Sequence, residues 1–182
     1  SSRRTTTPGV GSSTGTCNHP LGGSAPVDPR PVVTAAPSIT EDAADESRLH
    51  APHVQVSVSV DEPGLVADGD PERVHQVVAN LLENAIRHSP TGGKVEVLAR
   101  PDKGRVAIEV LDEGPGIPEE EASRVFERFY RADTARSSSA GGAGLGLAIA
   151  RWIVDLHGGD IRAERRVPTG CRMVVLLPGV AR

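Results

Sequence analysis

The sequence predicts a two-layer α/β sandwich, a mixed β-sheet covered on one face by helices and preceded by a disordered N-terminal tail. Three observations predict it. Valines at 54, 56, 58 and 60 alternate with polar residues as in a half-buried strand, the run 74–85 is apolar at helical spacing, and two pairs of apolar segments are separated only by short turns. At 182 residues the chain is long enough for one ordinary domain. Apolar residues make up 37% and aromatics 2%. Globular chains are usually about 45–50% apolar, so part of this one dilutes the core.

That part is the N-terminus, whose first 40 residues hold eleven Gly or Pro. Ser1 to about Val27 offers too little apolar surface to offset the entropy of ordering it. Residues 1–37 are therefore expected to be a disordered or linker segment and 38–182 the folded domain. Residue 1 is Ser and the first 26 residues lack the apolar core of a signal peptide, so the expectation is a processed protein or an excised fragment. The net charge of −4 comes from 20 basic and 24 acidic residues with no block of five like charges, which gives no basis for a nucleic-acid partner. The longest aliphatic run is Val174 to Leu177, against the roughly 20 apolar residues of a spanning helix, so no direct membrane contact is expected from this segment. Cys17 and Cys171 lie far apart and form neither a disulfide framework nor a metal knuckle. A reducing, cytoplasmic setting is expected, with the parent protein free to be membrane-anchored.

In chain order, a short helix is expected between Pro37 and Pro52, with Ser38 and Glu41 as a capping box and Ile39, Ala43 and Leu49 as a thin apolar face. The valine strand follows from His53, with a turn at Asp61 to Gly64. Asp70 and Pro71 supply an N-cap and a first helical position for a helix whose one face holds Val74, Val77, Val78, Leu81, Leu82 and Ala85. Strands at Lys94 to Arg100 and Arg105 to Leu111 form a hairpin through Pro101 to Gly104. An acidic helix start at Glu119 to Glu121 runs on through Val125 and Phe126, because negative charge suits the positive end of a helix dipole. Residues from about Arg131 to Ala143 are polar, small and without periodicity, which reads as a mobile loop. A helix from Gly144 to His157 stops at Gly158-Gly159. Strands at Asp160 to Arg166 and Cys171 to Leu177, joined at Pro168-Thr169-Gly170, close the domain.

Three features carry candidate chemistry. Asn80, Asn84 and Arg87 fall within about 60° of one another on a helical wheel, along one margin of the apolar stripe. An Asn carbonyl is a hard ligand suited to Mg²⁺ that already carries phosphate oxygens, and an Arg on the same edge suits a phosphate; a merely solvated flank is the alternative. Asp112-Glu113-Gly114-Pro115-Gly116 stands where a strand ends. A buried carboxylate there can accept a hydrogen bond from an exocyclic amine such as that of adenine, with glycines allowing backbone to approach a flat ring; a plain turn is the alternative. Gly141 to Leu147, with glycines at 141, 142, 144 and 146, opens a helix whose free N–H groups suit a polyphosphate; a flexible glycine loop is the alternative. It is neither a Walker A loop nor a convincing Rossmann fingerprint, since no Gly-Lys-Ser/Thr follows it and no strand precedes it.

The order and spacing of these features resemble the catalytic ATP-binding domain of bacterial two-component sensor histidine kinases. Asn80 to Ser89 is similar to the family's N box, Asp112 to Gly116 to its G1 box, Phe126 to Arg131 to its F box and Gly142 to Leu147 to its G2 box, and the likeness spans about Val54 to Pro178. The resemblance implies the Bergerat fold and a site for ATP and Mg²⁺. It implies that Asn84 holds Mg²⁺ with Asn80 beside it, that Arg87 lies near the phosphates, and that Asp112 binds the adenine amine in a pocket shaped by Gly114 and Gly116. Gly142, Gly144, Leu145, Gly146 and Leu147 would surround the phosphates, with His88, Ile117 and Phe129 beside the nucleotide. Arg131 and Arg136 are its candidates for the γ-phosphate. The segment Ile117 to Gly142 would be the ATP lid, anchored by Phe126 and Phe129.

Hydrolysing relatives of that family carry a Glu four residues before the Mg²⁺ Asn, whereas this chain has Asn80 there. Without that general base, transfer to a protein group is favoured over hydrolysis. Glu83, one position off the face, reads as a solvated charge. The family's phosphoacceptor His lies on a preceding dimerisation helix and is followed by Glu, a context that none of His19, His50, His53, His75, His88 and His157 has. Two functions follow. One is a kinase half that donates the γ-phosphate to a His on a separate dimerisation domain, with a response regulator downstream. The other is an orphan ATP-binding module that regulates a partner by docking, as anti-sigma-like switches do.

Overall fold

The computed structural model describes residues 33–130 and 144–180. Strand β1 (Val33–Ala35) leads into helix α1 (Ala36–His50), followed by β2 (Gln55–Val60), β3 (Val66–Asp68) and helix α2 (Pro71–His88). Then come β4 (Lys94–Asp102), β5 (Arg105–Leu111), two 3-10 turns, helix α3 (Gly146–Leu156), β6 (Asp160–Arg165) and β7 (Cys171–Pro178). Five strands form one sheet in the order β2-β4-β5-β7-β6, parallel only between β2 and β4. The expected mixed sheet is therefore present, with one core between it and the helices.

Register shows why one face is covered. Val95, Val97 and Ala99 of β4, Val106, Ile108 and Val110 of β5, and Met173, Val175 and Leu177 of β7 alternate onto one side and are buried in the core cluster with α2 and α3. Helix α2 packs between α1 and α3. Its Leu81 and Leu82 are fully buried, each contributing about 1.5–3 kcal/mol by removal from water. Asp70 caps the helix as expected, accepting from the Glu72 and Arg73 N–H groups at 2.9 and 3.1 Å. Helix α3 ends as its glycine pair requires: Gly158 takes φ +64°, and the Gly158 and Gly159 N–H groups return to Asp155 and Val154 carbonyls. His157 ties α3 to the start of α2, because its Nε2 accepts from the Asp70 N–H at 3.1 Å while Nδ1 meets the Ile153 carbonyl.

The opposite face of the sheet is held by charge. Glu109 of β5, 2% exposed, accepts from Arg100 of β4 and Arg172 of β7, both at 2.7 Å at their shortest. Arg172 also reaches Glu164 of β6 at 2.8 Å. Burial alone would push the Glu109 carboxyl up, but hydrogen bonds and charge from Arg172 and Arg100 outweigh it and hold the group below its usual range. The same contacts raise Arg172.

Several expectations need correction. The Ser38–Glu41 capping box does not form: Ala35 is the N-cap with no side-chain bond, and Pro37 enters the first turn instead. Leu49 is 81% exposed, so the buried side of α1 is Ala36, Ile39, Thr40, Ala43 and Ala44. The fold also begins before residue 38, since β1 pairs with β3 and Ala36 is fully buried; residues 1–32 lie outside the described residues. The helix expected from Glu119 through Phe126 is two 3-10 turns, Glu119–Glu121 and Arg124–Phe126. Phe126 is the one fully buried residue there, with Ala122 and Val125 only partly buried against the core, so little apolar burial offsets the cost of a continuous α-helix. The β4–β5 turn is tighter than Pro101 to Gly104: Lys103 and Gly104, at φ +50° and +79°, make it alone.

Candidate functional site

The site is assembled where α2, the loop after β5 and the start of α3 converge. Asn80 and Asn84 are half-buried along the margin of the α2 apolar face. The Asn80 Nδ2 is buried with no hydrogen-bond partner among the described residues. A Cβ placed on Gly146, the first residue of α3, would sit 3.7 Å from the Asn80 Oδ1. The N-box asparagine and the glycine opening α3 thus face each other. Arg87 is ion-paired with Glu83 one turn earlier on the same helix, and both are exposed.

Asp112 is 3% exposed. Its Oδ1 accepts from the Gly114 N–H at 2.8 Å and the Cys171 N–H at 3.2 Å, and its Oδ2 carries no hydrogen bond among the described residues. Burial pushes this carboxyl above its ordinary range despite those two bonds and the nearby His88 and Arg166. The neighbouring His88 imidazole is lowered, first by desolvation and further by Arg87, against the opposing pull of Asp112. Glycine is required at two positions of the loop that follows the carboxylate. At Gly114 a Cβ would fall 2.6 Å from the His88 carbonyl oxygen, and at Gly116, with φ +81°, 2.8 Å from that of Gly170. The Ile117 side chain is partly buried against the core beside this loop.

Beyond the two 3-10 turns, the Phe129 N–H donates to the Gly144 carbonyl at 3.1 Å. Gly144 has φ +68°, and Phe129 itself has φ +62° and is 71% exposed. Phe126 belongs to the buried core cluster, whereas Phe129 does not. Leu145 and Leu147 are half-buried, the latter against the core. Arg131, Arg136 and Gly142 lie outside the described residues. The structure also adds contacts that the motifs did not indicate. The turn between β6 and β7 touches the Asp112 loop through Arg166, Thr169 and Gly170. No local pattern marks these residues, since their partners lie more than fifty positions away.

The donor set fits a nucleotide better than a resident metal. Among the described residues no group of three or more His, Cys, Asp or Glu is placed to hold an ion. A cation here would be carried mainly by phosphate oxygens, with the Asn84 amide oxygen as a hard protein ligand. A buried carboxylate with one oxygen unbonded among the described residues suits an exocyclic amine, and an Asn80 amide unpartnered among them suits an added acceptor.

This fold and site define a nucleotide-binding domain of one class: residues 69–181 match the family described as histidine kinase-, DNA gyrase B- and HSP90-like ATPases, and the chain belongs to that family. Its relatives are sensor histidine kinases. It is 39% identical over 142 residues to the sensor-like histidine kinase SenX3 of Mycolicibacterium smegmatis, covering 78% of this chain and 37% of that protein. It is 42% identical over 154 residues to the histidine-protein kinase/phosphatase MprB of the same organism, covering 81% and 31%. Among solved structures, a mycobacterial sensor histidine kinase MprB superposes with TM-score 0.72 at 34% identity, covering 80% of this chain and 97% of that one. The catalytic domain of histidine kinase ThkA gives 0.70 at 28%, covering 80% and 93%. The chain spans about a third of the length of these two curated relatives.

Proposed function

We propose that this chain is the ATP-binding catalytic part of a sensor histidine kinase. It binds Mg-ATP and donates the γ-phosphate to a histidine on a dimerisation and phosphoacceptor domain, in the same parent protein or a separate chain, with a response regulator downstream. The observation that carries this reading is the buried Asp112 carboxylate, whose Oδ1 is held by two backbone N–H groups while Oδ2 has no hydrogen-bond partner among the described residues. Such a group reads the adenine amine. Gly114 and Gly116 give a flat ring backbone access, and Ile117 offers an apolar contact.

Phosphate recognition falls to the margin of α2 and the start of α3. Asn80, Asn84 and the helix start at Gly144 to Leu147 are assigned to the triphosphate, with Gly142, Arg131 and Arg136 of the lid as further candidates. Mg²⁺, held in part by Asn84, would neutralise charge on the phosphate oxygens. In the transfer the bond from the γ-phosphorus to its bridging oxygen breaks, a bond to an imidazole nitrogen forms, and ADP leaves. Asn80 has no basic group to activate water, which favours transfer over hydrolysis. A docking-only switch has no specific observation in its favour, and the kinase relatives weigh against it.

The test mixes the chain with a relative's dimerisation domain carrying its His and with ATP labelled at the γ-phosphate. Acid-labile, base-stable label on that domain is the expected result. No label, together with tight ATP binding, would replace the kinase reading with the docking one.

A further inference from the structure

We infer that the turn between β6 and β7 is the back wall of the base-recognition loop, with Thr169 a positioning residue that sets which base the pocket accepts. The inference rests on the assignment of Asp112 to base recognition. The turn meets the loop at successive points. The Thr169 Oγ1 donates to the Gly114 carbonyl at 3.0 Å, and an Arg166 guanidinium nitrogen donates to the Asp112 carbonyl at 3.3 Å. The Cys171 N–H reaches the Asp112 Oδ1, and the Asp112 N–H returns to the Cys171 carbonyl at 3.0 Å.

Between these bonds the two backbones are in direct contact. Gly170 is buried with φ +113°, and a Cβ there would lie 1.9 Å from the Asp112 carbonyl oxygen. No other residue type lets the turn come so close. The Asp112–Gly114 backbone is thus held at both carbonyls by the turn, while the His88 carbonyl leaves no room for a Cβ on Gly114. Which way the Asp112 Oδ2 faces depends on this grip, because Oδ1 shares its two donors between the loop and the strand that follows the turn. Thr169 is itself exposed, so its bond to Gly114 does not serve burial of the core. Its effect is on the loop.

The test compares Thr169→Val, which keeps the shape and loses the hydroxyl, with Thr169→Ser, which keeps the hydroxyl. Affinity for non-hydrolysable ATP and GTP analogues is measured by titration calorimetry, with melting temperature as a control and Asp112→Asn as the reference for the site. Thr169→Val is expected to weaken ATP-analogue binding by roughly three- to tenfold, the range of one neutral hydrogen bond. It should also lower the preference for the adenine nucleotide, with little change in melting, and Thr169→Ser should restore both. Unchanged affinity and preference in Thr169→Val, alongside loss of binding in Asp112→Asn, would overturn the role of the turn and leave the site standing. Unchanged binding in Asp112→Asn would overturn the site and this inference with it.

Discussion

Asp112→Asn separates the structural role of this carboxylate from the base-reading role proposed for it. Oδ1 accepts the Gly114 and Cys171 N–H groups, and an Asn side chain keeps an oxygen for both. The unengaged Oδ2 becomes an NH₂, which meets an exocyclic amine donor to donor. Hydrogen bonds to a charged group contribute about 1.5–3 kcal/mol, and at 3% exposure water does little to weaken this one. At about 1.4 kcal/mol per tenfold, the dissociation constant of an ATP analogue should rise roughly 10- to 150-fold. Stability should move the other way. Burial raises the folded-state pKa of Asp112, so its contribution is full below the ordinary carboxylate range and is lost as pH rises through the raised value. At neutral pH the charged carboxylate therefore costs the empty domain stability, and the neutral amide removes that cost. Calorimetric titration with and without nucleotide, beside thermal melts of the unliganded chains, reads both quantities. Wild-type affinity in a folded Asp112→Asn chain would refute the assignment, and a clearly lower melting temperature would refute the electrostatic argument.

Three further outcomes are expected. Asn84→Ala should leave analogue binding in EDTA unchanged and abolish most of the gain on adding Mg²⁺, as read by the same titration. Glu109→Gln should cost about 1–3 kcal/mol in urea unfolding at neutral pH, because it weakens hydrogen bonds from two arginines. Since the Glu109 carboxyl is held low, that stabilisation is present above the ordinary carboxylate range and lost as pH falls through the depressed folded value, so the two chains should converge in acid. Cys171 is buried and its thiol is pushed up to about 12; in a Cys17→Ser chain it should resist a thiol reagent at pH near 8 until denaturant is added.

Where a residue's role is set by its neighbours in sequence, the chain was readable. Asp70-Pro71 at a helix start, the stripe from Val74 to Ala85 and the glycine stop at 158 are local devices, and each appears as expected. So does the strand-end position of Asp112. Roles set by distant partners were not readable. Strands β1 and β3, three residues each, are too short for any period and exist because they pair with each other, Val33 to Asp68 and Ala35 to Val66. Ser38 and Glu41 have the spacing of a capping box, yet the helix already begins at Ala36, one turn of chain too early for them to cap it. The grip of Arg166, Thr169 and Gly170 on the Asp112 loop left no trace except a turn-forming Pro-Thr-Gly. The same holds for Glu109, whose alternation in β5 reads as an outward charge but whose neighbours across the sheet bury it.

The hydrogen bond from Phe129 to Gly144 draws together two residues fifteen positions apart in sequence. Phe129, just past the 3-10 turns, and Gly144, which leads into α3, are therefore held to each other rather than to the sheet. Where two ends are fixed to each other, doubling the length of chain that joins them costs only about 0.6 kcal/mol in closure entropy. A change of length or sequence between positions 130 and 144 is thus expected to leave Asp112, Asn80 and Asn84 where they are.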